Sequence, residues 1–388
     1  MKKSSTSLLL LGFFLCGILL APASRPALAA TLSEPERQAL IQQLETQIAL
    51  LLQQVQQLQT AQGVTWPANL VWVKAQTPAP WEERDSDTAY VWNDHLFILG
   101  GLDANNSKIN PTTINYEKAK YFNDIWYTDD GENWIEGKQH AAFPPVRSAS
   151  IVSFNGALWM LGGWSNDPKV GYNVGIWKST DGLEWKEVSK TTPFVPREGF
   201  RTLEVNGKIC FFGGVNYFAH KTYNDTWCSR DGTTWTAQSM KAGWDGRWDY
   251  DAVYYHGSLY LAGGMKLGGG GWNDVWESKD EGVTWTKIVE HAPWSVRQGQ
   301  VTLVWHDLIW LIGGLEPDLN TGVGDTWYSS DGINWKKTAV DGMWRGREDH
   351  GVVIWHDALW LVAGMNDQWT WTKDVWHTEF PATTTITH

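Results

Sequence analysis

Two hydrophobic periodicities divide the chain. Over residues 33–62, apolar side chains stand at Ile41, Leu44, Ile48, Leu51, Val55 and Leu58, and the opposite face is mostly Gln. Steps of three and four are the spacing of a helical stripe and of a heptad seam. Ser33 with Glu36 forms a capping pair, Pro35 suits a first turn and Gly63 supplies a stop. One α-helix is therefore predicted over 30–63, either a short coiled coil that makes a homo-oligomer or a single amphipathic helix packed on the next domain. From residue 64 the period falls to two. Gly199–Val205 alternates, Asn206-Gly207 is a hairpin turn, Lys208–Phe212 is apolar, Thr226–Ser229 and Thr234–Ala237 follow, and Asp231-Gly232 turns the chain between them.

This four-strand pattern is copied. Arg recurs at 84, 147, 197, 247, 297 and 347, and a Gly pair follows at 100–101, 162–163, 213–214, 263–264 and 313–314, with Ala363-Gly364 in the last copy. Trp then recurs at 126, 177, 227, 276, 327 and 376, and a second Trp at 134, 185, 235, 285 and 335. Six copies of about 50 residues predict an all-β, six-bladed propeller over 64–380. The last copy lacks its second Trp. Trp72 stands 12 residues before Arg84, as Trp185 stands before Arg197, so Leu70–Lys74 is expected to complete the sixth blade and close the ring.

Composition adds compartment and charge. The 28 Trp follow from the repeat, and 43% hydrophobic residues suffice for a large core. Residues 1–29 read as a signal peptide: Lys2 and Lys3, an apolar run from Leu8 to Leu20, and Ala27-Leu28-Ala29 before cleavage. The expected location is therefore exported, with no membrane span after cleavage and a disordered tail at 381–388. The net charge is −12, and loss of a leader holding Lys2, Lys3 and Arg25 but no acid leaves −15. Such a body is repelled by nucleic acid. Cys210 and Cys228 fall on neighbouring strands. A bridge is conceivable, but spacing does not establish its geometry, so two buried thiols are expected.

Between third and fourth strands stand Thr128–Trp134, Ser179–Trp185, Ser229–Trp235 and Ser329–Trp335, each with an Asp-Gly turn, and the longer Ser278–Trp285 with Asp280-Glu281-Gly282. The last resembles the Asp-box of sialidases, and the others a variant one residue shorter. With the Gly pairs and the period, the chain resembles kelch-repeat propellers, including secreted bacterial ones and the central domain of galactose oxidase. That resemblance implies the fold. It leaves function open among copper oxidases, sialic acid epimerases and adaptors for acidic peptides.

Function is expected on the face with variable loops, which are rich in aromatics and amides: Asn105, Tyr116, Trp164, Tyr172, Tyr217, Phe218, Trp272, Trp369 and Trp371. The repeat Arg residues Arg84, Arg147, Arg197, Arg247, Arg297 and Arg347 are placed at the channel mouth. There they would either read an anionic ligand or pair with the repeat Asp residues 124, 225, 274, 325 and 374. Glu198, Trp248 and Tyr250 complete the candidate site. The first reading is a binding or interaction module for a carbohydrate or an acidic peptide. The alternative is a sialidase-like hydrolase using Tyr250, or an epimerase-like isomerase using Glu198 or Glu348. No cofactor or metal is expected: His256, His306 and His356 sit one per blade, and Asp103-x-Asn105 lacks the rest of a calcium loop.

Overall fold

In the computed structural model, residues 70–379 are described apart from 111–112, 318–320 and 340–343, with three isolated positions before Leu70. The leader, the helix with its oligomer and the C-terminal tail lie outside the described residues.

Six four-stranded antiparallel sheets follow one another along the chain. The first holds Thr88–Trp92, His95–Leu99, Ile125–Thr128 and Trp134–Lys138, and the third holds Arg201–Glu204, Ile209–Phe212, Thr226–Ser229 and Trp235–Ser239. The sixth takes Gly351–Trp355, Ala358–Val362 and Val375–Glu379, and its outermost strand is Val71–Lys74, with Trp72 opposite Thr378. The second strands are almost wholly buried, completely so at Ala157–Leu161 and Ile209–Phe212 and with one part-exposed residue in each of the others. A strand covered on both faces by neighbouring blades has no polar side to show, which is why these runs do not alternate.

The Trp excess has a geometric cause. The second Trp of each blade meets, edge to face, an aromatic ring from the segment that leads into that blade. The pairs are Trp81–Trp134, Phe143–Trp185, Phe194–Trp235, Trp244–Trp285, Trp294–Trp335 and, in the sixth blade, Trp344–Trp72, with centroids 5.5–6.1 Å apart. Edge-to-face contact sets the positive rim of one ring against the negative face of the other.

The turns before these Trp residues are held by their own side chains. Asp130 accepts from the amides of Glu132 and Asn133 at 2.8 and 2.7 Å, while Thr128 Oγ1 accepts from Gly131 at 2.9 Å. Ser179 with Asp181, Ser229 with Asp231 and Ser329 with Asp331 repeat the arrangement. Cys210 and Cys228 are bonded as a disulfide, which corrects the expectation of free thiols. They lie directly opposite each other on adjacent strands, 4.1 Å apart at Cα. The spacing had given the strands but not the register.

Around the channel, one residue per blade takes a left-handed conformation: Ser86, Ser148, Gly199, Asp249, Gly299 and Asp349, with φ between 47° and 66°. Main-chain bonds link them from blade to blade. Ser86 N donates to Asp349 O and Ser148 N to Ser86 O, both at 2.8 Å; Asp249, Gly299 and Asp349 donate to the preceding blade at 3.0–3.1 Å. At Gly299 a Cβ would lie 2.6 Å from Glu348 Cβ, so the belt there has room only for glycine.

Candidate functional site

Five of the six repeat Arg residues point into their blades. Arg247 binds Asp274 through both terminal nitrogens at 2.6 and 3.1 Å and donates to Gly263 O at 2.9 Å. Arg84 with Asp124, Arg197 with Asp225, Arg297 with Asp325 and Arg347 with Asp374 repeat this, and all five are at most 2% exposed. Each Asp also accepts the indole N–H of the Trp two residues on, as Asp274 does from Trp276 at 2.7 Å. A fork this well satisfied leaves no nitrogen for a ligand. These five therefore do not line the mouth, and the pairing role is the one they fill.

Arg147 differs because its blade is out of step by one residue. The main-chain bond that Arg247 O makes to Gly214 is made in the second blade by Val146 O to Gly101, at 2.8 Å. Val146, 1% exposed, thus stands in the Arg position. Gly175 stands where the other blades have Asp. Asn173 takes over the vacated contacts: its Nδ2 donates to Gly162 O at 3.0 Å, and its Oδ1 accepts from Gly175 N and Trp177 Nε1. Arg147 falls one place later, in line with Asp85, Glu198, Trp248, Gln298 and Glu348. Each of these pairs with the residue after the Gly pair, or after Ala363-Gly364 in the sixth blade: Arg147 with Trp164, Glu198 with Val215, Trp248 with Met265, Glu348 with Met365.

These six side chains, one per blade, ring the base of a cavity of about 370 Å³ at the channel mouth. The belt residues Ser86, Ser148, Asp249 and Asp349 form its floor, and Tyr116, Trp164, Tyr172, Tyr217, Phe218, Met265 and Trp369 form its walls. Arg147 binds Glu198 twice, at 2.9 and 3.0 Å, with its guanidinium between the rings of Tyr116 and Trp164. Its Nη1 is not used in that pairing. Gln298 Nε2 donates to Glu348, and Ser86 Oγ to Asp349 at 2.8 Å. Asp85 Oδ1, Gln298 Oε1 and the indole nitrogens of Trp248 and Trp369 are buried without a partner.

The carboxyls here are held toward the neutral form. Burial, then repulsion from Asp349, pushes Asp85, Asp249 and Glu348 well above the usual range, and burial raises Asp349 itself. Burial also raises Glu198, against the pull of Arg147. Beneath the belt, Asp87 is pushed up to about 8 by burial, which outweighs Arg84.

Of the candidate residues, the structure brings Arg147, Glu198, Trp248 and Trp369 together. Trp272 lies over Arg247, 4.3 Å from ring centroid to guanidinium, outside the cavity lining. Tyr250 is buried, donates to Phe212 O and lines the channel below the belt, so its hydroxyl is not presented to the mouth. His256, His306 and His356 pair singly with Asp307, Asp357 and Asp94 of the next blade. No group of three metal-ligating side chains occurs among the described residues. Gln298 was missed in the sequence. The signal that finds it is the position after the repeat Arg, read with blade two shifted by one.

No protein-family model matches this chain, and no curated protein matches it.

Proposed function

We propose that this propeller binds a carbohydrate in the aromatic-walled cavity at the mouth of its channel. The observation that carries the reading is the ring of six side chains of five kinds, one per blade, that lines a cavity faced with Tyr and Trp. Flat rings match the apolar faces of a sugar, and the carboxyl, amide, guanidinium and indole groups match its hydroxyls. An acidic ligand would meet five carboxyls and one guanidinium already engaged by Glu198, so the anionic alternative is disfavoured.

The finer features belong to the same reading. The repeat is of kelch type with Asp-box-like turns, Val71–Lys74 closes the ring, and the protein is exported. The apolar leader and the Cys210–Cys228 bridge support export.

A glycan array followed by calorimetry tests the proposal with the wild-type protein and Trp248→Ala. Trp248 is part-exposed, meets Tyr217 edge to face at 5.4 Å and lies outside the aromatic pairs that hold the blades. Binding by the wild type and a loss of about tenfold or more in the variant, at unchanged melting temperature, are expected. A protein that binds no glycan, or a variant that binds as tightly as wild type, overturns the reading.

A further inference from the structure

The carbohydrate reading leaves open which group reaches the base of the cavity, and charge decides it. Five carboxyls, Asp85, Glu198, Asp249, Glu348 and Asp349, line the cavity with one cation, Arg147. Glu198 is matched by Arg147 through two bonds. The partners of Asp349 and Glu348 are a hydroxyl and an amide, which satisfy geometry but bring no charge. Asp85 is 6% exposed and its Oδ1 accepts no hydrogen bond; the Trp371 indole and the Arg147 charge near it do not offset its burial. Buried carboxyls in this state either keep a proton or ionise against a cation.

The walls distinguish the kinds of cation. A calcium ion needs a cage of six to eight oxygens. Here the groups above the acids are rings, and ring faces attract organic ammonium groups. Trp369, 8% exposed, is part of the cavity wall, and its buried indole N–H has no acceptor. That donor asks for an oxygen on the same ligand, such as a sugar hydroxyl.

We propose that the ligand is an amino sugar, or an oligosaccharide containing one, whose protonated amine is held by Asp85, Glu348 and Asp349 while the aromatic walls take the sugar face. This rests on the carbohydrate reading and specifies it. The first and sixth blades supply the three acids, joined by the Ser86–Asp349 bond, and Arg147 Nη1 and Trp369 Nε1 are left for hydroxyl oxygens. The groups facing the amine are Asp85, Glu198, Asp249, Glu348, Asp349, Arg147 and the neutral Tyr116, Tyr172 and Tyr217, with Asp87 beneath. An arriving cation favours the ionised acids, so where the free amine is already protonated binding releases protons, and affinity rises with pH until the free site ionises or the amine loses its own proton.

The test is calorimetry on the full chain in two buffers of different ionisation heat. The probes are a chitosan oligomer, its fully N-acetylated counterpart, cadaverine as an amine without a sugar, and calcium chloride. In mildly acidic buffer, where the oligomer's amines are protonated, the free-amine oligomer is expected to bind about tenfold tighter or better than the acetylated one, with net proton release, and Glu348→Gln to remove most of that preference. Asp85→Asn serves as the second variant if Glu348→Gln does not fold. Equal binding of both oligomers, or proton uptake, overturns the amine and leaves the carbohydrate reading standing. Tight binding of cadaverine alone keeps the amine and overturns the sugar. Calcium binding that excludes the oligomer overturns the amine, and a site that takes no probe overturns both.

Discussion

Arg247 and Arg147 are the same residue type a hundred positions apart, and their surroundings give them opposite work. Arg247 is fully buried against Asp274. Arg247→Ala strands that carboxylate and is expected to cost about 3–5 kcal/mol, seen as a large fall in melting temperature. Arg147→Ala leaves Glu198 beside a cavity that water can enter, so a smaller loss of about 1–3 kcal/mol is expected. Equal losses in the two variants would remove the distinction. The turn carboxylates carry an acid sensitivity of their own. The main-chain amide of Asn133, then its side-chain amide, holds Asp130 at about 2, below the ordinary 3.8. A depressed value stabilises the fold above the ordinary range, and that contribution is lost as pH falls from about 4 to about 2. The melting-temperature gap between wild type and Asp130→Asn should therefore shrink over that interval. A gap independent of pH would remove the carboxylate from the account.

At the scale of the blade, much was legible. The alternation, the Asn-Gly and Asp-Gly turns and the four strands of the third copy lie where the period of two put them, because short strands with dedicated turns depend little on distant contacts. The second blade was misread. Counting Arg residues at intervals of 50 placed Arg147 in the structural set, whereas the spacing of 12 from the buried Trp leads from Trp134 to Val146. The aromatic three places earlier, Phe143, agrees with that register. A buried ring is tied to its place by packing, while an Arg can stand at either of two adjacent positions and do different things. The slip also makes a test of the blade's wiring. Val146→Arg alone buries an unpaired guanidinium and is expected to destabilise by about 3–5 kcal/mol. Adding Gly175→Asp restores the partner and is expected to recover at least about 1 kcal/mol of that in a double-mutant cycle. A Cβ at Gly175 lies 2.7 Å from the flexible end of Glu187 and 2.9 Å from Trp177 Nε1, so the carboxylate must move aside and the indole shift slightly, which lowers the recovery. No recovery would mean that Asn173 excludes the pair.

For the whole molecule, the first described strand is hydrogen-bonded to the last. A chain starting at Trp66 keeps Trp72, which is 2% exposed and meets Trp344 edge to face. A chain starting at Pro80 loses it. The shorter chain should be less stable by at least about 3–5 kcal/mol, the cost of that Trp alone, and identical melts would refute the clasp. The six mouth residues were the part least legible in the sequence. The framework repeats because every blade faces the same packing problem, but Asp85, Arg147, Glu198, Trp248, Gln298 and Glu348 share a place and no single residue type, so no count of one repeated residue gathers them.

The belt of left-handed residues gives this arrangement a modular character. Peptide groups join five of the six neighbouring pairs, so the aperture of the channel is set mainly by the main chain rather than by the side chains on the rim above it. Exchanging a rim side chain changes what faces the cavity without touching those links. Under the proposed carbohydrate reading the six rim positions are where selectivity would be set, and the second blade, by slipping one residue, has already changed the side chain at one of them.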